Sequence, residues 1–596
     1  MILQALTDYY DRRCADPDPA QRLPAFGLEE KEIPFVIELA PDGTVLQLKD
    51  TRMPVGKKLR AKVHLVPLGE KKTSGIKANL LWDTAAYVIG LARERKGKAE
   101  LTPAQAYRQR IETLPEAARS DAGVRAVLAA LERNDWSVLE AHPAWPEIRE
   151  TNPVMTFQLA RDADLVCQRP AVVAAAMPAA APDDAVGLCL VDGVEQPIQR
   201  VHASIKGVRD AQTSGANVVS FNERAFESYG KAKRQGENAP IGQRAAFAYT
   251  TALNSLLGKD SKNRLQVGDA STVFWADRAT AFPTLLSDLF GEDKDEPDRG
   301  RNTVAALLNA LQSGQLPHSE HDVQFFVLGL APNAARISVR FWIKAPFGEL
   351  APRILQHFDD LRVVRRFDND PPTPSLFRLL SGLALQGKLD NVPPRLGGEW
   401  MRAILEGLPY PAGLLNAAVI RCKAERDVTY LRAAVLKAWL NREQRRADPT
   451  LPIHHAHFKE NLDMEQDNVP YRLGRLFAVL ERIQQQAQPG INATIRDRYY
   501  GAASTTPVVV FTTLLRLKNA HLKKLSDGQV AYFERLIGDT VQAMTEFPRQ
   551  LTLADQGRFA LGYYHQRQAF YSRKDEAPTA DVPHPSATSI ATTEEA

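Results

Sequence analysis

Alternation typical of β-strands occurs only in the first part of this chain, and beyond about residue 375 it fades. The segment PFVIELAPDGTVLQLKD alternates around Pro41-Asp42-Gly43, which predicts a hairpin. Farther along, VQFFVLGL (323–330) and RISVRFW (336–342) predict paired strands joined by a turn at Pro332-Asn333. The pattern therefore favours an α+β fold: a large mixed N-terminal region with short antiparallel sheets and helices, followed by a C-terminal helical bundle.

The middle of the chain mixes both kinds of signal. Helical periodicity covers 103–134, and the Ala/Pro-rich segment 171–184 after it predicts a surface connection. Within 201–222, two strand-like runs, VHASIK and NVVSFN, flank the polar loop GVRDAQTSGA, and a third run, TVFW, ends at Trp275. The charged segment 291–300 predicts a solvated loop.

From Tyr471 onward the apolar residues recur at helical spacing and form one stripe: Leu473, Leu476, Phe477, Leu480 and Ile483. Further helices are predicted at 508–525, 530–547 and 556–571, with turn residues between them. A chain of 596 residues exceeds the usual size of one core, so we expect several domains. We predict a mixed region over 1–460, a bundle over 461–574 and a disordered tail over 575–596.

Composition excludes some classes of protein. Apolar residues make up 44% and charged residues 24% of the chain, as in globular proteins. The start of the chain carries no apolar segment of the signal-peptide type, and no run of eighteen apolar residues occurs, so we expect a cytoplasmic protein without a membrane partner. The cysteines show no CxxC spacing, which indicates free thiols rather than a zinc site or a disulfide framework: Cys14, Cys167, Cys189 and Cys422.

Charge is distributed unevenly along the chain. Residues 52–98 contain twelve Lys or Arg against three acidic residues, and 471–574 contain fifteen against seven. By contrast, 575–596 carries five acidic residues and no Lys or Arg. Two basic regions in a chain of net charge +4 favour a polyanionic partner.

Motifs that would carry catalysis are weak. The sequence has no Gly-rich phosphate loop, no GxSxG elbow and no cysteine-centred catalytic signature. The histidine cluster His454, His455 and His457 lies beside prolines without an HExxH pattern. His321-Asp322 is a dipeptide of the kind found in metal phosphohydrolases, but it precedes a strand rather than lying in a helix. We expect no catalytic residues, no metal and no cofactor; a metal-dependent nuclease is the alternative.

Seven peptides, in order along nearly the whole chain, resemble the large-subunit family of the type I-C CRISPR surveillance complex (Cascade). After the MILQAL start they are GIKANLLWDTAAYVIG, IKGVRDAQTSGANVVSFN, ESYGKAKRQGENAPIGQRAAFAYTTALNSLL, STVFWAD, VLGLAPNAARISVRFW and YRLGRLFAVLERIQ. Peptides of this length are far more specific than a short motif.

The resemblance implies a non-catalytic subunit of an RNA-guided antiviral complex. Such a subunit recognises the short motif beside the target in double-stranded DNA (the PAM), promotes duplex opening and R-loop formation, and contacts the displaced strand. It assembles with CRISPR RNA, backbone subunits and the subunit that binds the 5′ handle of the guide, and a separate helicase-nuclease is recruited after the R-loop forms. Base pairing with the guide reads the long sequence, whereas protein reads only the PAM and the backbone.

Two loops carry the residue types that a PAM reader requires. The first combines cations, small residues and an amide: Lys71, Lys72, Thr73, Ser74, Lys77 and Asn79. The second lies between the strand-like runs and offers Lys206, Arg209, Gln212, Ser214 and Asn217. A plain solvated loop is the alternative for the first, and a long hairpin connection for the second. Tyr229 and Asn238 are further candidates for nucleic-acid contact.

Three further sets of candidates follow. Arg336, Arg340 and Trp342 share one face of a predicted strand and could grip a single strand, or could be a solvent face with a half-buried Trp. The basic bundle resembles the small subunits of related complexes, with cations at Arg516, Lys518, Lys523 and Lys524; a solvated helix face is the alternative. The resemblance also implies a separate small subunit from an internal translation start, for which Met464 is the candidate.

Overall fold

The computed structural model describes residues 1–56, 58–70, 75–91, 102–177, 185–221, 226, 236–280, 286, 290–291, 306, 322–452, 455–542 and 544–571. Two compact units make up the chain. The first comprises Met1–Ser261 and Pro332–Ile337, and the second comprises Lys262–Ala331 and Ser338–Ala596.

The strands of the first unit are short. They are β1 (Leu28–Glu32), β2 (Phe35–Leu39), β3 (Val45–Asp50), β4 (Met53–Val55), β5 (Lys58–Arg60), β6 (Val63–Pro67), β7 (Trp82–Thr84), β8 (Val154–Leu159), β9 (Val186–Leu188) and β10 (Glu195–Pro197). A four-stranded sheet has the order β3-β2-β8-β7, and β1-β6, β4-β5 and β9-β10 form two-stranded sheets. The predicted hairpin around Pro41-Asp42-Gly43 is confirmed, since β2 and β3 pair in antiparallel register.

One pair departs from the predicted antiparallel arrangement. β2 and β8 run parallel, with Phe35 opposite Met155 and Leu39 opposite Leu159. Parallel neighbours need a long crossover, and the chain between these two strands supplies one that contains several helices.

The helices of the first unit are α1 (Ile2–Cys14), α2 (Ala85–Val88), α3 (Pro103–Glu112), α4 (Glu116–Arg119), α5 (Ala122–Arg133), α6 (Ser137–Glu140), α7 (Trp145–Thr151), α8 (Pro170–Ala176) and α9 (Gln243–Leu256). The predicted periodicity over 103–134 is confirmed as three helices. They are separated because Pro115 precedes α4 and because Asp121 caps α5 with its carboxylate. The core buries apolar residues of the sheet against these helices, including Phe35, Ile37 and Phe157.

The second unit begins with a four-stranded sheet of order β11-β12-β13-β14, apart from Pro332–Ile337 at the β13-β14 turn, which belong to the first unit. The strands are β11 (Arg264–Val267), β12 (Ala270–Ala276), β13 (Gln324–Asn333) and β14 (Arg336–Pro346). Ten helices of the described chain follow it: α10 (Phe347–Leu361), α11 (Leu376–Leu383), α12 (Leu396–Glu406), α13 (Ala412–Glu425), α14 (Tyr430–Ala447), α15 (Val469–Ala487), α16 (Ile495–Ala503), α17 (Pro507–Leu522), α18 (Asp527–Val541) and α19 (Leu553–Ala569). One apolar core runs from β11 through α19. The α+β class with a helical C-terminal part is confirmed.

Two local predictions are wrong. The described residues of the runs VHASIK and NVVSFN form no strand: a bridge joins Ile205 to Ala216, and left-handed backbone at Gly207, Asp210 and Gly215 bends the chain between them. The turn between β13 and β14 lies at Ala334-Ala335, after Pro332-Asn333, since β13 continues to Asn333.

In the predicted connection 171–184, the residues up to Ala176 belong to helix α8, because Pro170 begins a run of helix-forming alanines. Residues 178–184 lie outside the described chain, as do residues 292–300 of the predicted loop 291–300 and the whole of the predicted tail 575–596. The boundary predicted near residue 460 falls within the second unit and stays a prediction.

Candidate nucleic-acid interface

The second predicted loop, residues 206–215, is held at both ends. Ile205 and Ala216 exchange two backbone hydrogen bonds of 2.8 and 2.9 Å. Gly207 has φ +86°, and a Cβ atom there would lie 2.6 Å from the carbonyl oxygen of Leu257, so only glycine fits. Val208 is buried inside the loop. Loops fixed in this way can present side chains at defined positions.

The side chains that this loop presents are mostly polar or cationic. Lys206, Arg209, Gln212 and Ser214 are all exposed. The backbone N–H of Lys206 donates to Oδ1 of Asn254 at 2.8 Å, so the position of the lysine is fixed although its side chain faces solvent. The guanidinium of Arg209 lies 3.6 Å from the exposed carboxylate of Asp210. Surface ion pairs contribute little free energy, so Arg209 can leave this carboxylate for a phosphate group at little cost. The loop thus offers cations for phosphate beside an amide for a base edge.

Asn217 has a different position from the other candidates of this loop. Its Nδ2 donates to the carbonyl of His202 at 3.2 Å, and its backbone bonds to Ala335 and Ile337. These bonds attach the loop to the turn between β13 and β14. In this structure Asn217 positions the loop rather than extending into solvent.

Arg336 and Asn238 both contact Phe226. Arg336 pairs with Asn217 in an isolated parallel bridge, and its guanidinium carbon lies 4.2 Å above the ring of Phe226. Nδ2 of Asn238 donates to the carbonyl of Phe226 at 2.7 Å. The structure therefore brings Arg336 and Asn238 together on Phe226, a residue that sequence reasoning missed, and joins the backbone of Arg336 to that of Asn217. Tyr229 lies outside the described residues.

Residues of the first predicted loop are only partly described. Lys71, Lys72, Thr73 and Ser74 lie outside the described chain, and Lys77 is exposed. Asn79 is buried, and its Oδ1 accepts a hydrogen bond of 2.9 Å from the backbone N–H of Glu70. Its own N–H donates to Oδ2 of Asp83 at 2.9 Å. Asn79 thus joins the two ends of the loop, and its amide oxygen is engaged within the protein.

Arg340 and Trp342 belong to the second unit and contact other residues of β11–β14 and their turns. Nε and Nη2 of Arg340 lie 3.0 and 2.7 Å from Oδ2 of Asp269. The Trp342 ring stacks on Phe326 with centroids 5.7 Å apart and also contacts Trp275. These contacts agree with the alternative given for this strand, a solvent face with a half-buried Trp342, rather than with a grip on a single strand of nucleic acid.

Cations of the helical part differ in their surroundings. Arg516, Lys523 and Lys524 are exposed on α17 and the turn after it. Lys518 is 13% exposed, and its Nζ lies 2.8 Å from Oε1 of Glu534 on α18. Lys518 therefore ties two helices together, whereas the other three cations are available to a phosphate backbone.

Within the described residues, no group of three or more His, Cys, Asp or Glu side chains is placed to hold a metal ion. His321 and His454 lie outside these residues, and Asp322 is exposed. The ring of His457 packs edge-on against Phe458, and burial lowers the pKa of His457. All four cysteines are free, and only Cys14 is not fully buried. Across the same residues, each helix is too short or too polar to span a bilayer.

Sequence reasoning missed one further exposed element, the β4-β5 hairpin. The segment 51–69 has five Lys or Arg and no acidic residue, and it contains the β4-β5 hairpin. Exposed Met53 and Leu59 lie on that hairpin. The combination of cations with apolar residues around Gly56 could have identified it.

Comparison with known proteins gives one family. The family model Cas_Csd1, described as CRISPR-associated protein (Cas_Csd1), matches residues 6–571, nearly the whole chain. No match is found among curated proteins. The family match confirms the resemblance carried by the seven peptides, and the chain belongs to the Cas_Csd1 family of CRISPR-associated proteins.

Proposed function

We propose that this CRISPR-associated protein is the non-catalytic large subunit of a type I-C surveillance complex. In this proposal it recognises the PAM in double-stranded DNA, promotes duplex opening and R-loop formation, and contacts the displaced strand. Its partners are CRISPR RNA, backbone subunits, the subunit that binds the 5′ handle and small subunits started at Met464, and a helicase-nuclease is recruited afterwards. The complex acts in the cytoplasm.

The observation that carries the proposal is the loop 206–215. It is pinned by the Ile205–Ala216 bridge and exposes Lys206, Arg209 and Gln212 on one short segment. Cations contact phosphate regardless of sequence, while an amide can form paired hydrogen bonds with a base edge. Just after the loop, the backbone of Asn217 pairs with that of Arg336, whose guanidinium lies over the ring of Phe226. A protein that must find a short motif in duplex DNA needs both kinds of contact.

The test separates the two kinds of contact. In the complex assembled with guide RNA, Lys206→Ala and Arg209→Ala should weaken binding of all duplexes equally and flatten the salt dependence by about 0.9 for each phosphate that the variant no longer neutralises. Gln212→Ala should instead narrow the affinity gap between duplexes with and without the PAM by about tenfold. Competition binding at several salt concentrations measures both effects.

Arg149→Ala is the matched control, since Arg149 is an exposed cation of the same unit on helix α7. It should change neither quantity. An unchanged salt slope together with an unchanged PAM gap in the loop variants would remove this loop from the site. Incubation with Mg²⁺ or Mn²⁺ should leave the duplex intact; cleavage that disappears on replacing Asp322 would favour the nuclease alternative.

A further inference from the structure

The β9-β10 hairpin of the first unit exposes a set of apolar side chains. Val186 and Leu188 in β9 are both 61% exposed, and Leu190 and Val194 in the connection to β10 are 55% and 56% exposed. Side chains two residues apart in a strand lie on the same face, so Val186 and Leu188 form the outer face of the hairpin. One exposed apolar side chain is ordinary on a protein surface, whereas a set of them on one short element marks an interaction site.

The inner face of the hairpin is packed. Gln196 is opposite Gly187, so both residues lie on the face away from Val186 and Leu188. A Cβ atom at Gly242, just before α9, would lie 2.0 Å from Cδ of Gln196. The backbone at Gly242 therefore touches the inner face directly, and only the outer face is left uncovered by this contact.

Backbone hydrogen bonds hold the hairpin in place. The N–H of Leu190 donates to the carbonyl of Pro240 at 2.9 Å, and the N–H of Gln199 donates to the carbonyl of Ile241 at 2.8 Å. Cys189, beside Leu190, is buried. Both the connection and the base of the hairpin are thus attached to the segment before α9. Its outer face is preformed, so a partner that binds it would order little of the chain.

The sequence around the hairpin is acidic. Residues 170–199 contain four acidic residues and no Lys or Arg, although about one residue in eight of the whole chain is Lys or Arg. Asp192 and Glu195 are exposed, and Glu195 lies opposite Leu188. The β4-β5 hairpin has the opposite charge, since residues 51–69 carry five Lys or Arg and no acidic residue. Carboxylates repel a phosphate backbone, so the β9-β10 hairpin favours a protein over a nucleic acid.

The chemistry of this face indicates which kind of protein it fits. An apolar centre with a polar rim is the usual composition of a protein interface. Carboxylates at the rim favour a partner that presents cations, because opposite charges attract across an interface. Subunits that hold a guide RNA are cationic, since they neutralise its phosphates. A complex built around RNA therefore offers this face a basic protein surface.

We propose that the outer face of the β9-β10 hairpin docks on a neighbouring protein subunit whose surface is basic and partly apolar, of the kind that holds the guide RNA. Val186 and Leu188 form the apolar centre of the contact, and Asp192 and Glu195 pair with Lys or Arg of that subunit. The inference rests on the proposed function, because it requires that the chain assemble with RNA-holding subunits, and it assigns this assembly to one surface.

The experiment measures how tightly the full chain joins the rest of the complex. Guide RNA and the other subunits are assembled without this chain and immobilised, and the purified chain is titrated onto them without target DNA. Val186→Ser/Leu188→Ser should weaken the association at least about tenfold, since both side chains lie at the centre of the contact. Glu195→Lys should weaken it about fivefold at low salt and less at high salt, because salt screens the attraction between charges.

The variants change exposed side chains, so thermal unfolding of the free chain should match that of the wild type. Leu385→Ser/Ile420→Ser is the control for the apolar change, since it alters two exposed apolar side chains of the second unit. Glu132→Lys is the control for the charge change, since Glu132 is exposed on α5. Both controls should join the complex as tightly as the wild type does.

A photo-crosslinking amino acid in place of Leu188 identifies the occupant of the face. We expect a covalent product that contains another protein subunit of the complex. A product that contains RNA, or a second copy of this chain, would overturn the inference.

An unchanged affinity of Val186→Ser/Leu188→Ser for the immobilised complex would also overturn the inference. The proposed function would then stand if the assembled complex still prefers duplexes that contain the PAM. A wild-type chain that joins the complex through this face but gives it no such preference would refute the proposed function and leave the docking surface intact.

Discussion

Two histidines lie in the apolar core of the second unit. A hydrogen bond of 2.6 Å joins Nδ1 of His357 to the hydroxyl of Tyr410, and one of 2.8 Å joins Nδ1 of His565 to the hydroxyl of Tyr471. Burial is the main cause that lowers the pKa of each imidazole to about 3, and the nearby cations Arg442 (for His357) and Lys437 (for His565) contribute to the same shift. Both side chains are therefore neutral in the folded protein at neutral pH.

The acid stability of the second unit should depend on these two residues. In the unfolded chain each histidine takes up a proton near pH 6.5, whereas in the folded protein it does so only near pH 3. The folded state therefore loses free energy of unfolding as the pH falls from 6.5 towards 3, by about 1.4 kcal/mol per pH unit for each histidine. His357→Gln and His565→Gln should each reduce the slope of the free energy of unfolding against pH by that amount. Urea unfolding at several pH values between 6 and 4 measures this slope.

Above pH 7 the free energy of unfolding should depend on pH in the same way in the variants and the wild type. In this range the histidines are neutral in both the folded and the unfolded state. This range serves as an internal control for any general loss of stability. An acid slope that stays the same in both variants would contradict the prediction.

Side-chain chemistry was predictable from the sequence, but the contacts of single residues were not. Asn79 has the amide that a base reader needs, yet its oxygen bonds to the backbone of Glu70 in a buried position. Lys518 looks like any surface lysine in the sequence, but the structure pairs it with Glu534. Partners this far apart in the chain leave no local signal, because tertiary packing selects them.

At the scale of elements, apolar periodicity predicted the helices well and their burial poorly. The apolar stripe that begins at Leu473 predicted helix α15 with one buried face. In the structure, thirteen of the nineteen residues of α15 are buried, including Arg475 and Glu481. The hydroxyl of Tyr563 donates to Oε2 of Glu481 at 2.6 Å, which compensates part of the cost of burying that charge. Charged residues on a helix ordinarily indicate a solvent face, so the sequence could not show that α15 lies at the centre of the bundle.

The close crossing of α15 and α19 depends on two glycines. A Cβ atom at Gly474 would lie 1.9 Å from the carbonyl oxygen of Phe559, and one at Gly562 would lie 2.0 Å from that of Tyr471. Gly474→Ala should therefore force the helices apart and lower the free energy of unfolding by about 3 kcal/mol. Gly538→Ala in α18 is the control, because a Cβ atom there meets no heavy atom of the described residues within 4 Å.

Gly538→Ala should be neutral or stabilise the protein by up to about 1 kcal/mol, since alanine favours helix over glycine. Denaturant unfolding of the two variants measures the difference. Equal stability of both variants would show that the two helices are not in backbone contact at this crossing.

On the scale of the whole molecule, the helical part of the second unit forms one core across residue 460. The hydroxyl of Tyr564 on α19 donates to the carbonyl of Val364 at 2.7 Å. A Cβ atom at Gly557 would lie 2.9 Å from Leu415 on α13 and 3.4 Å from Leu436 on α14. α19 therefore packs against helices that come before the predicted boundary. Sequence periodicity identifies helices but not which of them share a core, so the boundary could be predicted only from local composition.

Ion pairs cross residue 460 as well. The carboxylate of Asp427 lies 3.0 Å from Arg366, 3.5 Å from Arg567 and 3.9 Å from Arg496. A protein that starts at Met464 lacks Asp427, α13 and α14, so it leaves the two later arginines without this carboxylate and uncovers one side of α19. A small subunit produced from such a start would need another surface of the complex to cover this side.

A fragment of residues 464–596 should therefore unfold with low cooperativity on its own, and it should bind a dye specific for exposed apolar surface. A fragment of residues 262–596 keeps the shared core and should unfold in one sharp transition. Calorimetry and dye fluorescence compare the two. A sharp transition of the short fragment at the temperature of the longer one would show that α15–α19 need no cover from α13 and α14, and would support 461–574 as an independent domain.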